Sequence, residues 1–302
     1  MPDSKTDLRL AVLIDADNAP RTVLRDIMNE AAVYGTPTVK RIYGDWTSPN
    51  MSTWKPLLLE NAITPVQQYS YTTGKNSTDS AMIIDAMDLL YSGHLDGFVL
   101  VSSDSDFTRL AVRLREAGMK VYGMGEKKTP EPFRVACDKF IYIEVIRAAG
   151  EQARLEALTA AREDAAPREE SAPPAPAEEP AAHPAKAGGK SKSHGGRKKA
   201  APAPQSDAPA PEPEPQPPAD PMEQLAGLIA DTVETIADED GYAFMGELGT
   251  LLQKKYPDFD SRNYGYSKLT SLIRSLGRFE IDARPSGAPG VKHIYLRDKQ
   301  RK

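Results

Sequence analysis

Apolar residues in this chain fall into short unbroken runs that alternate with stretches of helical spacing. Leu8 to Ile14 is one such run and ends at Asp15; Phe98 to Val101 is another, bounded by Gly97 and by Ser102 and Ser103. Strands buried on both faces of a parallel sheet read this way, apolar throughout instead of alternating. Thr38 to Tyr43, Thr64 to Tyr69, Met119 to Met124 and Phe140 to Ile143 read as further strands. Between them, Val23, Leu24, Ile27 and Met28 follow Pro20, a residue suited to the first helical position. Helices are also predicted over Trp54 to Leu59 and Ser77 to Tyr91, and a short turn over Glu131 to Cys137. Phe107, Leu110, Ala111 and Leu114 share a helical stripe that stops at Gly118. Strands alternating with helices over residues 1–149 predict an α/β domain with a doubly wound parallel sheet.

At Gly150 the composition shifts to Ala, Pro and Glu, and most of the 26 prolines lie beyond it. Residues 150–219 are therefore expected to be a disordered linker, because such a stretch buries too little apolar surface to repay ordering. Inside it lies a basic island of Lys186, Lys190, Lys192, Arg197, Lys198 and Lys199. It reads either as a charge-balancing segment or as a sequence-blind grip on phosphates. A linker of this length implies domains that fold independently and act on one ligand through raised local concentration. Residues 220–302 form a second unit. Leu225, Leu228, Ile229, Val233 and Ile236 mark one helix; Phe244, Leu248, Leu251 and Leu252 a second; Leu269, Leu272, Ile273 and Leu276 a third. Strands at Phe279–Ile281 and His293–Leu296 complete a small winged-helix-like α+β pattern.

Charge narrows the function classes. The 302 residues carry a formal net charge of −5, which argues against nucleic-acid binding by bulk charge. Basic residues nevertheless outnumber acids from Arg262 onward, a local footprint on the third helix and wing that suits a nucleic-acid backbone. Cys137 is the only cysteine, so no intrachain disulfide forms and a reducing, cytoplasmic setting is expected. Met1 to Asp7 lack a signal-peptide core, and no apolar run is long enough for a membrane span.

The candidate chemistry is acidic. Asp104 and Asp106 lie at the strand-to-helix crossover after Val101, the edge where ligands bind in open α/β sheets. One Asp there needs no more than a capping role; two place like charges together, which a cation or a helix N-terminus must offset. Asp15 ends the first strand at the same edge. Asp79 opens a helix and points into the apolar arc of Met82, Ile83, Ala86 and Met87, whereas Asp85 and Asp88 face outward at about 100° per residue. Asp15, Asp79, Asp104 and Asp106 are expected to converge, with Asn18 beside them. A donor set of oxygens without a His or Cys cluster suits Mg²⁺ or Mn²⁺, and such an ion activates water and neutralises phosphoryl charge.

The segments Leu13–Asn18, Gly74–Asp79, Ser102–Phe107 and Ala136–Phe140 resemble the NYN domain, a branch of the PIN-like nucleases, over about residues 8 to 145. The resemblance implies a Mg²⁺- or Mn²⁺-dependent ribonuclease with Asp15, Asp79, Asp104 and Asp106 as acidic metal-site positions and Asn18 as a supporting group. Asp85 also matches a recurring acid of such domains. Lys75, Asn76, Lys127, Lys128 and Thr129 read either as phosphate contacts on the rim or as solvated loops. The C-terminal stretches Gly241–Phe244, Tyr256–Phe259, Tyr264–Leu269 and Phe279–Ile281 resemble the LOTUS, or OST-HTH, domain, which implies RNA binding or, in some relatives, protein docking. Lys268, Arg274 and Lys292 are its candidate RNA contacts. Two other readings stand beside the nuclease: a catalytically inactive RNA-binding or adaptor protein, and a phosphatase whose Asp15-Ala16-Asp17 mimics a haloacid-dehalogenase nucleophile.

Overall fold

The computed structural model describes residues 7–69, 77–164, 221–285 and 292–300. The first domain is built on six parallel strands: β1 (Arg9–Asp15), β2 (Thr36–Gly44), β3 (Thr64–Gln67), β4 (Gly97–Val101), β5 (Lys120–Gly125) and β6 (Lys139–Tyr142). Their order in the sheet is β3-β2-β1-β4-β5-β6. The chain winds outward from β1 to β3, crosses back, and winds outward again from β4. The reversal therefore falls between β1 and β4, where connections leave in opposite directions and open a crevice at the strands' carboxyl ends.

Among the described residues, six α-helices cover the sheet: α1 (Leu24–Tyr34), α2 (Lys55–Asn61), α3 (Ser77–Tyr91), α4 (Thr108–Glu116), α5 (Glu131–Ala136) and α6 (Ile143–Asp164). The unbroken apolar run of β1 explains why both faces need cover. Leu10, Val12 and Ile14 pack with Ile27 of α1, Leu58 of α2 and Ile146 of α6. Ala11 and Leu13 pack on the other side with Met82 of α3, Leu110 of α4 and Phe133 of α5.

Helix α6 corrects the expected start of the linker. It runs to Asp164, past the composition change at Gly150. Ala, Glu, Leu, Gln and Arg dominate this stretch and are strong helix formers, so composition alone does not separate helix from linker here. Arg154 anchors it to α1 through the buried carboxylate of Asp26, at 2.9 Å. Gly150 sits so near that a Cβ there would lie 2.4 Å from that carboxylate. The remainder of the linker reading, with the basic island, lies outside the described residues.

The second domain comprises α7 (Pro221–Ile236), β7 (Ala243–Phe244), α8 (Met245–Lys255), α9 (Leu269–Ser275), β8 (Phe279–Pro285) and β9 (Lys292–Asp298). Its three-stranded sheet has the order β7-β9-β8. The two-residue β7 is too short to show as a periodic run, which is why Phe244 reads as helical in the sequence. Ile229, Leu248, Leu252, Leu272, Ile273 and Leu296 close a small core.

The two domains touch. The segment after α8 lies along β6, the outer strand of the large sheet, and the Phe140 N–H donates to the Pro257 carbonyl at 2.9 Å. Asp258 takes a hydrogen bond from the Tyr142 hydroxyl at 2.8 Å and pairs with Arg134. Arg262 forks onto Glu30 of α1 at 2.8 and 3.0 Å while also holding Asp260 at 2.8 Å. Burial pushes the Glu30 carboxyl upward, but hydrogen bonding and charge from Arg262 outweigh it and hold the group below its ordinary value. Burial likewise lowers Lys139 in the same seam. An edge strand is thus closed by a carbonyl and a half-buried charge network.

Removing one partner of a half-buried, hydrogen-bonded ion network leaves the others unpaired and costs on the order of 1–3 kcal/mol. Arg262→Leu is therefore expected to release the second domain from β6, seen as a larger radius of gyration in small-angle scattering. An unchanged scattering profile would show that Arg262 does not hold the seam.

Candidate metal centre

Asp15 is the last residue of β1 and is 0% exposed. The turn after it satisfies its carboxylate: Asn18 Nδ2 donates to Oδ2 at 2.7 Å and the Asp17 N–H to Oδ1 at 3.0 Å. Ser102, just beyond β4, donates its hydroxyl to the same Oδ2 at 2.9 Å. That hydroxyl also accepts from the Asp104 N–H at 3.1 Å. Ser102 therefore ties the loop carrying Asp104 to the acid on the neighbouring strand. Asp104 in turn caps the 3-10 turn Ser105–Phe107, accepting from the Asp106 N–H at 2.9 Å. The capping role read from the sequence and the clustering of acids coexist in one residue.

Asp79 lies on the first turn of α3 and is only 8% exposed. Its neighbour Thr78 donates to Asp17 at 2.9 Å, which fixes the start of the helix against the loop after β1. One carboxylate oxygen each from Asp79, Asp104 and Asp106 lies within 4.8 Å of the others, a spacing at which they could hold a metal ion. Asp15 lies outside that trio but close enough for its charge to raise Asp79, and its carboxylate accepts from Asn18, Ser102 and the Asp17 backbone.

The electrostatics follow from crowding. Burial pushes the Asp79 carboxyl up to about 6, and the charges of Asp15, Asp104, Asp106 and Asp17 push the same way. Burial also raises Asp15, though Asn18, Ser102 and the Asp17 N–H pull against it. A carboxyl held high by burial and by like charges in a crevice is a mark of sites built for a cation or a proton. The three oxygens form a hard donor set that fits a divalent ion of the Mg²⁺ class.

Several residues that position the site do not stand out as candidates in the sequence, although Thr78 and Ser102 fall within its motif segments. Ser102 and Thr78 act through partners on other elements. Gly125, at the end of β5, lets that strand close on β4: a Cβ there would meet the Ser102 carbonyl at 2.6 Å and Thr129 Oγ1 at 2.7 Å. The Ser103 hydroxyl accepts from the Glu126 N–H at 2.9 Å and joins the two loops.

Other expected site residues are placed differently. Asp85 does not face outward: its side chain is 20% exposed and bonds Arg41 and Tyr43 of β2. The helix phase alone does not reveal that β2 approaches from that side. Asp88 is exposed. Lys127 is exposed, whereas Lys128 pairs with Glu126 at 2.6 Å. Thr129 is buried and its hydroxyl donates to the Glu126 carbonyl at 2.6 Å, so it is not a rim contact. Lys75 and Asn76 lie outside the described residues. Lys268 flanks the start of α9, Arg274 lies in its last turn and Lys292 opens β9; all three are exposed. Cys137 is buried and its thiol is pushed up to about 12 by burial, which excludes it as a nucleophile.

The family models agree with this geometry. The model described as the NYN domain matches residues 9–144, and that described as the OST-HTH/LOTUS domain matches residues 217–291. The chain carries an NYN domain followed by an OST-HTH/LOTUS domain. The matched NYN segment begins with β1 and ends just after β6, so it takes in the whole sheet and all three clustered acids. Among solved structures, a protein of unknown function from Vibrio parahaemolyticus is 20% identical, spans 46% of this chain and 95% of its own, and has a TM-score of 0.40. An uncharacterized protein from Nitrosomonas europaea is 32% identical over 32% of this chain and 94% of its own, with a TM-score of 0.24. No curated protein sequence matches the chain. No helix among the described residues is long and apolar enough to cross a membrane. The domain pair supports a nuclease-type, RNA-binding protein.

A raised carboxyl pKa has a definite sign in stability. The folded state holds the Asp79 proton up to about pH 6, while the unfolded chain loses it near the ordinary Asp value. Stability should therefore fall as pH rises through that window and stay reduced above it. In chelator at neutral pH, Asp79→Asn is expected to stabilise the protein by on the order of 2 kcal/mol. The gain should vanish below about pH 4, where the acid is protonated in both states. A variant that melts lower than the parent at neutral pH would contradict the repulsion.

Proposed function

We propose that the protein is a Mg²⁺- or Mn²⁺-dependent ribonuclease that hydrolyses RNA phosphodiester bonds in its NYN domain and holds RNA with its OST-HTH/LOTUS domain. The observation that carries this reading is the trio Asp79, Asp104 and Asp106, gathered at the sheet reversal with Asp79 driven up to about 6. Asp79, Asp104 and Asp106 would hold the ion; bound there, it would lower the pKa of a water and offset charge on a phosphoryl oxygen. The chain's own residues do the rest. Ser102 and Asn18 fix Asp15, whose carboxylate adds negative potential beside the trio and keeps a lone pair for the ion. Thr78 and Asp17 hold the start of α3 in place. An aspartyl nucleophile of the phosphatase kind is disfavoured, because Asp15 is fully buried and both its oxygens are engaged.

Asp104→Asn is nearly isosteric and removes one charge from the trio. It is expected to abolish RNA cleavage while RNA affinity stays within about threefold, under 1 kcal/mol of binding free energy. Asp88→Asn, on the exposed face of α3, should cut as the unaltered chain does. Cleavage at the parental rate by Asp104→Asn would remove the metal-site assignment.

The RNA-holding role has its own test. Charge reversal at Lys268, Arg274 and Lys292 should weaken RNA binding and flatten its dependence on salt, since each lost phosphate contact lowers the log–log slope by about one. An unaltered affinity and slope would move the OST-HTH/LOTUS domain from RNA binding to protein docking.

A further inference from the structure

The seam between the domains is not sealed along its length. Beside the Asp258 contact it opens into a cleft of about 410 Å³. Lys127 and Tyr142 come from the NYN side; Leu228, Tyr256, Asn263 and Tyr264 come from the other domain. Neither domain alone encloses this space. Among the described residues, two buried side-chain polar atoms lack a hydrogen-bond partner, Asn263 Oδ1 and Arg134 Nε. Asn263 lines the cleft, and Arg134 lies in the same seam through its pairing with Asp258. A buried acceptor left unpaired costs roughly 1–3 kcal/mol. The walls are otherwise aromatic or apolar, and the Asp258 carboxylate is already held by Arg134 and the Tyr142 hydroxyl. The free cation at the cleft is Lys127, an exposed side chain for which no ion pair occurs among the described residues.

Such a lining fits a flat ring with hydrogen-bond donors on its edge and an anion at its mouth. Tyrosine faces stack bases of every kind, and an amide oxygen accepts from the N–H groups that each base carries on its pairing edge. Location strengthens the match. Lys127 follows Glu126, whose N–H is tied to Ser103, and Ser103 precedes Asp104. The cleft and the acidic trio thus share one edge of the sheet, with the Glu126–Lys127 loop between them.

We propose that the cleft is a nucleotide subsite that takes one unpaired base of an RNA strand, stacked on Tyr256 or Tyr264 and read by Asn263, with Lys127 on a flanking phosphate. This rests on the RNA-binding reading given above, and it makes the docked arrangement of the domains part of the substrate site. The second domain then places the strand across the acidic edge as well as raising its local concentration.

The test uses the full chain in chelator, so that cleavage plays no part, with a fluorescent single-stranded oligoribonucleotide as probe. Tyr264→Ala and Asn263→Ala remove the stack and the acceptor, and Lys127→Ala the phosphate contact. Tyr264→Phe keeps the ring. Glu30→Arg opens the seam at a point that does not line the cleft. Tyr264→Ala and Glu30→Arg are each expected to weaken binding by about fivefold or more. Asn263→Ala and Lys127→Ala should weaken it by smaller factors, and Tyr264→Phe should bind as the parent does. Parental affinity in Tyr264→Ala overturns the subsite. So does parental affinity in Glu30→Arg, which would confine the stack to one domain. Lys127→Ala, a change on an exposed side chain, decides the matter if Tyr264→Ala fails to fold: parental affinity there overturns the proposal. A chain that binds the probe but never cuts removes the nuclease reading and leaves the subsite. A chain that cuts while the seam variants bind normally removes the subsite alone, and failure to bind single-stranded RNA at all removes both.

Discussion

Carboxylates forced together at one edge of a sheet repel, and the architecture of the NYN domain is what forces them. Asp15 ends β1, Asp104 follows β4, and these strands are neighbours because the winding reverses between them. Asp79 is delivered from the other side by the first turn of α3. The apolar cost of exposing β1, β4 or the inner face of α3 is what holds the acids there against their mutual repulsion. Each fully buried Leu, Ile or Phe side chain contributes about 1.5–3 kcal/mol, so a handful of them offsets one strained carboxyl. The strain falls mainly on Asp79, and a site destabilised in this way gains when a cation enters it.

Charge is used differently at the domain seam. There Arg262 answers both Glu30 and Asp260, and Arg134 answers Asp258, so the pairs are complete within the chain. In the trio near β4 like charges add up instead: Asp15, Asp104, Asp106 and Asp17 all push the buried Asp79 carboxyl upward. One cluster of acids is paired with arginines and fastens the domains; the other gathers three carboxylate oxygens at a spacing that could hold an ion. Both lie around the same sheet, one beside the edge strand β6 and one at the reversal.

Much of this was readable from the residues and some was not. Unbroken apolar runs identified β1 and β4, and the inward phase of Asp79 within the arc of Met82 and Ala86 placed it in the crevice. These signals are local, so a single sequence contains them. Asp85 misled because helix phase describes one face of α3 and says nothing of Arg41 and Tyr43 arriving from β2. Ser102 and Gly125 matter only through contacts with other strands, and no spacing rule marks them. The extension of α6 past Gly150 was hidden because Ala and Glu serve helices and linkers alike. The docking of the second domain depends on pairs such as Glu30 with Arg262, separated by more than two hundred residues, which no local pattern encodes.

The central claim is that Asp79, Asp104 and Asp106 are held together for a divalent ion. The most direct measurement is the anomalous diffraction signal from crystals of the full chain soaked in Mn²⁺. The account predicts a peak bounded by those three carboxylates, lost in crystals of Asp79→Asn. A Mn²⁺ peak elsewhere with none at the trio, or a peak there that survives Asp79→Asn undiminished, would contradict it.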